Sequence, residues 1–170
     1  MRQIIQDIKN HSFKSSYLLY GEEAYLRIQY RDKLIKALVN EGDNMNYHYY
    51  EGKEINIAEI VDLAETMPFM AEHRVIVIEN SGLFHSSCEE LAEYIAKPAE
   101  TVIFIFVDNK VDKRSKTYKA VKAHGYCCEF SKQNDVTLKK WIGQKLNSEQ
   151  KVISNNNCDY FFGKSWNRYG

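Results

Sequence analysis

The 170-residue sequence predicts an α/β fold: a five-stranded parallel sheet with helices on both faces. Three observations point there. Short β-branched and aromatic runs alternate with segments of helical periodicity, the pattern of parallel strands joined by crossover helices. Two of the runs, Val75-Ile76-Val77-Ile78 and Val102 to Val107, are continuously apolar, as strands covered on two sides must be. Glycine or proline closes most of the segments, so the boundaries carry turn chemistry.

The first strand is Tyr17-Leu18-Leu19-Tyr20, stopped by Gly21. Glu22 to Val39 follows as a helix of strong helix formers, with Glu22 and Glu23 set to its positive N-terminal end and Gly42 beyond its other end. Tyr47 to Tyr50 is the second strand, closed by Gly52. Asn56 and Glu59 have the spacing of a capping box, and Ile57, Ile60, Val61 and Ala64 share one helical face. Thr66-Met67-Pro68 interrupts that helix, because proline disfavours the α conformation in the residue before it. Arg74 to Ile78 is a central strand. A second capping-box spacing, Ser87 and Glu90, opens a helix carrying Cys88, Leu91, Ala92 and Ile95, which Pro98 ends. Thr101 to Val107 is the longest apolar strand. Ser115 to His124 is a short helix ended by Gly125, Tyr126 to Phe130 the fifth strand, and Asp135 to Leu146 a helix carrying Val136, Leu138, Trp141 and Ile142.

Composition narrows the function classes. With 44% hydrophobic and 27% charged residues, the chain can bury a core and stay in solution. No apolar run approaches the ~18 residues that span a bilayer, and no signal-peptide core opens the sequence, so no membrane association and a cytoplasmic location are expected. The four cysteines, Cys88, Cys127, Cys128 and Cys158, contain no C-x-x-C pair and read as reduced, partly buried thiols. Net charge is zero but unevenly distributed: residues 41–108 carry 3 basic and 14 acidic groups, residues 110–151 carry 11 basic and 4 acidic. Such a chain either shows different faces to different partners or interleaves its blocks so that the fields partly cancel.

A strand–glycine–helix opening invites comparison with the phosphate-binding loop G-x-x-x-x-G-K-[ST]. Counted from Gly21, the second glycine falls on Leu26, the lysine on Arg27 and the hydroxyl on Ile28. Leu26 denies the bare backbone approach that a phosphate needs, Ile28 offers magnesium no oxygen, and Glu22 and Glu23 put carboxylates where a triphosphate would sit. Glu79-Asn80 and Asp108-Asn109, at the ends of the two apolar strands, read as turn residues. No dinucleotide fingerprint and no nucleophile elbow appears. The five histidines make no metal-binding pair and read as surface or cap residues. No catalytic group, cofactor or metal is expected. The reading from another class is a small α/β nucleotide- or flavin-binding enzyme, with its pocket at the strand ends near Gly21, Glu79 and Asp108.

Three blocks in order and spacing resemble the delta subunit of bacterial DNA polymerase III, the clamp-loader subunit that opens the sliding clamp. They are Tyr17 to Glu23 leading into a helix, Ala64 to Met70 followed by Arg74 to Ile78, and Val102 to Asp108 followed by Lys113-Arg114-Ser115-Lys116. The resemblance covers roughly residues 15–150. It implies an AAA+-like domain over 1–146 that neither binds nor hydrolyses ATP. Residues 147–170 would begin a small helical domain, truncated or divergent, with Gly163 to Gly170 unlike the family. It implies as partners the sliding clamp, the other clamp-loader subunits (through regions mostly absent from this chain) and, indirectly, DNA. The family's clamp contact falls on Phe69 and Met70, with Pro68 setting their direction; by residue type alone the pair reads rather as core packed under the sheet, an ordering that the resemblance reverses. Lys113, Arg114 and Lys116 then stand for proximity to DNA, where by residue type alone they form a solvated face.

Overall fold

A computed structural model of the chain describes residues 1–86 and 88–131. The element order is α1 (Arg2–Asn10), β1 (Ser16–Tyr20), α2 (Ala24–Leu38), β2 (Tyr47–Glu51), α3 (Ile57–Ala64), β3 (Arg74–Glu79), α4 (Glu89–Ala96), β4 (Val102–Asp108), α5 (Lys116–His124) and β5 (Tyr126–Glu129). The five strands form one sheet in the order β2-β3-β4-β1-β5, every pair parallel. The predicted fold class is therefore the observed one. The expected helix over 135–146, Cys158 and the division at 146/147 lie outside the described residues.

Strand pleat explains how the two faces are covered. Alternate residues Leu18, Ile76, Ile78, Phe104 and Phe106 join Ile60, Leu91, Ile95 and Val121 of α3, α4 and α5 in the main core. There Phe106 meets Phe84 edge-on at 5.1 Å between ring centroids. The intervening side chains, among them Leu19, Val77 and Ile105, are fully buried too, and α2 packs on β1 and β4.

Local chemistry departs from the expectations at three places. Helix α1 was assigned no element from sequence; Ile4 anchors it, and its buried Asp7 accepts from the Tyr17 hydroxyl at 2.9 Å. Helix α2 starts at Ala24, so Glu22 and Glu23 precede its first turn, and Glu23 makes no side-chain cap. Asn56 caps no backbone amide either: its Nδ2 donates to the Glu59 carboxylate at 2.8 Å, so the box is replaced by a side-chain pair. Ser115, by contrast, is a working N-cap and accepts from the Tyr118 amide. Ser87 lies outside the described residues.

Chain reversal between β1 and β4 creates the crevice where doubly wound sheets bind ligands. Here two amides of the first loop bond to the chain's own carbonyls. The Gly21 amide donates to the Asn109 carbonyl at 3.1 Å, and the Glu23 amide to the Phe130 carbonyl at 3.1 Å.

Candidate functional site: an apolar tip on a pinned loop

Beyond α3 the chain turns through Thr66 to Glu72 before entering β3. Pro68 is half-buried, Phe69 is 57% exposed and Met70 90% exposed. Neither of the two packs under the sheet. Met67, which sequence reasoning did not select, is 77% exposed beside them, so the tip carries three large apolar side chains. Met70 has φ 51°, a left-handed backbone that turns the chain back toward β3.

Buried polar side chains fix this loop. The Phe69 amide donates to Asn46 Oδ1 at 2.7 Å, and Asn46 Nδ2 donates to the Phe69 carbonyl at 2.9 Å. Arg74, the first residue of β3 and buried, donates from Nε to the Thr66 carbonyl and from Nη2 to the Met67 carbonyl, at 3.3 and 3.0 Å. Its Nη1 reaches the Met45 carbonyl at 3.1 Å and His48 Nε2 at 2.8 Å. Burial, and next the Arg74 charge, hold the His48 imidazole below its usual pKa, so it stays neutral and accepts. His48 is thus part of the loop's support rather than a plain surface residue. Beside Met70 lies a groove of about 600 Å³, bordered by Phe13, Val39 and His73.

At the strand ends the carboxylates read as turn residues are buried charges instead. Glu79 and Asp108 are 7% and 4% exposed and are the last residues of β3 and β4. Glu79 forms an ion pair with Arg31 of α2. Arg27, at the position a phosphate-loop lysine would hold, is buried, and burial lowers its pKa against the Asp108 and Glu79 carboxylates, which favour its charge. Burial pushes the Asp108 carboxyl up to about 6, against the Gly82 amide, His85, Arg27 and Ser81, all of which favour its charge. The adjoining cavity, bordered by Lys53, His85 and Asp108, is about 210 Å³. That is below the ~300 Å³ at which small-molecule pockets begin.

The Asp108 shift sets a pH dependence. Its folded pKa lies above the unfolded one, so the folded state binds this proton more tightly. The stabilisation it gives is complete below about pH 4 and is lost as pH rises through about 6. Asp108→Asn should therefore gain stability relative to wild type between pH 4 and pH 7, by ~2 kcal/mol, in urea unfolding at each pH. A constant difference across that range would contradict the burial argument.

The basic segment is more opposed than its sequence indicates. Lys113 pairs with Glu129 at 2.8 Å, Arg114 with Asp112 at 3.0 Å, and Lys116 with Glu89. Glu89 and Glu129, distant in sequence, join Asp112 in balancing these charges. Cys128 is buried, and burial raises the partly covered Cys127 thiol to about 11, which keeps it protonated and inert.

Comparison with known proteins follows the same lines. The family model for "DNA polymerase III, delta subunit" matches residues 17–131. The DNA polymerase III subunit delta of Bacillus subtilis (strain 168) is 26% identical over 160 residues, covering 87% of this chain and 46% of that protein. The solved structure of the Bacillus subtilis DNA clamp loader delta protein superimposes with a TM-score of 0.75 at 24% identity, over 94% of this chain and 51% of that one. A DNA polymerase III gamma subunit-related protein from Thermotoga maritima gives a TM-score of 0.55 at 10% identity, over 88% of this chain and 54% of that one. The two structural likenesses speak for the fold, and the chain spans about half the length of the relatives it matches. With the family model matching the chain from Tyr17 in β1 to just beyond β5, the chain belongs to the DNA polymerase III delta subunit family.

Proposed function

We propose that this chain is the clamp-engaging part of a clamp-loader delta subunit, a rigid sheet that carries an apolar tip to the sliding clamp without using nucleotide. One observation carries the reading: Phe69 and Met70 are held out in water on a loop whose backbone is fixed from beneath. Large apolar side chains kept exposed in this way suit a pocket on a partner, and methionine adapts to the pocket's shape. Binding opens the clamp only to the extent that the tip holds the opened state more tightly than the closed one.

The absence of intrinsic catalysis is part of the proposal. Two loop amides that could cradle a phosphate are committed to the Asn109 and Phe130 carbonyls. Of the buried carboxylates at the strand ends, Glu79 is paired with Arg31, and Arg27 lies near enough to favour the charge of Asp108. The remaining loader subunits are further partners and DNA an indirect one, with Lys113, Arg114 and Lys116 as the segment nearest it. The setting is cytoplasmic.

The test is titration of this chain with purified sliding clamp in the absence of nucleotide. A saturable complex, unchanged by added magnesium–ATP, is expected. No complex, or one that forms only with ATP, would overturn the reading.

A further inference from the structure

The tip residues stand on a buried polar support. Asn46 is 3% exposed, just before β2, and 23 residues from the loop it holds. Its side-chain amide uses every hydrogen-bonding direction it needs. Oδ1 accepts from the Phe69 amide, and Nδ2 donates both to the Phe69 carbonyl and to Asp43 Oδ2, the last at 2.7 Å. Turning the amide over would set its oxygen against a carbonyl and a carboxylate, so the network itself fixes the orientation. Asp43 is aimed in turn: its Oδ1 accepts from the Met45 and Asn46 amides, each at 3.0 Å. The Asn46 carbonyl accepts from the Val75 amide at 2.8 Å, which ties the whole support to the central sheet.

We propose that Asn46 is the positioning residue of the tip. By pairing with both backbone polar groups of Phe69 like a neighbouring strand, it keeps the loop in its binding conformation before the partner arrives. The inference rests on the clamp-engaging reading above. Being buried, Asn46 touches no partner; it acts through the population of the competent loop. Without it the loop samples other conformations, and the apparent dissociation constant rises as the competent fraction falls. Arg74 still holds Thr66 and Met67 in that case, so the loss is partial.

The effect on rates separates this role from contact. A contact residue acts mainly on dissociation, whereas a diluted competent state slows association and leaves the bound complex as it was. Asn46→Ala should lower the association rate with purified sliding clamp by about tenfold, with the dissociation rate unchanged. Unchanged kinetics in Asn46→Ala, alongside lost capture in the Phe69→Ala/Met70→Ala double variant, would overturn the positioning role and leave the clamp-engaging reading standing. A loss wholly in the dissociation rate would overturn it too. Full capture by the Phe69/Met70 variant would remove both. Amide hydrogen exchange of the wild-type chain gives a second readout that needs no variant to fold. The Phe69 amide is expected to be protected, and fast exchange there would contradict the proposal.

Discussion

Replacing Phe69 and Met70 together by alanine is expected to weaken sliding-clamp binding by about 100-fold or more and to leave stability almost unchanged. Burying a large apolar side chain in a partner contributes ~1.5–3 kcal/mol, and each factor of ten in affinity needs ~1.4 kcal/mol. Two such side chains therefore account for at least about two decades. The folded chain loses little, because Phe69 is 57% and Met70 90% exposed. Exposed substitutions usually stay within ~0.5 kcal/mol, a shift of a few degrees in melting temperature. Binding and thermal unfolding measured on the same preparation separate the two. An intact affinity would remove the tip from the interface; a large fall in melting temperature would mean that the pair packs on its own domain.

Gly21→Ala should destabilise the fold by about 3 kcal/mol or more. Gly21 has φ +123°, which side-chain-bearing residues rarely adopt, and such strain costs of order 1–3 kcal/mol. A Cβ there would also lie 2.4 Å from the Phe130 carbonyl oxygen and 2.7 Å from its carbon. Both are backbone atoms beside the end of β5 and cannot swing aside. Relieving the overlap moves β5 away from β1, at a further cost of order 1–3 kcal/mol. Urea unfolding of the two proteins checks this. The prediction also bears on what the glycine is for. In a phosphate-binding loop its bareness serves the ligand; here it lets the loop lie against the protein's own fifth strand. A variant as stable as wild type would contradict that assignment.

Most of this architecture is written in local pattern. The runs at 75–78 and 102–107 announce doubly covered strands because no alternation interrupts them, and β3 and β4 are, with β1, the strands flanked by others on both edges. Helix α1 carries only a weak signal in the sequence: Ile4, Ile5 and Ile8 share the spacing of a helical face, but polar neighbours dilute it. The burial of Glu79 and Asp108 is hidden from the sequence for a deeper reason. A carboxylate at a strand end looks the same in sequence whether it turns the chain or meets an arginine, and the arginines here come from α2, some fifty to eighty residues away. The tip shows both limits. Its residues could be named from one chain segment, but their exposure depends on where α3 ends. The support from Asn46 and Arg74 joins segments that only the parallel pairing of β2 with β3 brings together.

Methionine placement supplies the most direct test of the central claim, that a pinned apolar tip on a nucleotide-independent sheet engages the clamp. The chain has four methionines: Met1, Met45, Met67 and Met70. With methyl-labelled methionine, the same nucleotide-free clamp titration can be followed residue by residue by NMR. The account predicts that the Met67 and Met70 methyl signals shift or broaden as clamp is added while that of Met1, whose amino group donates to Cys128 Sγ, stays in place. Unmoved Met67 and Met70 signals at clamp concentrations that saturate binding would contradict it.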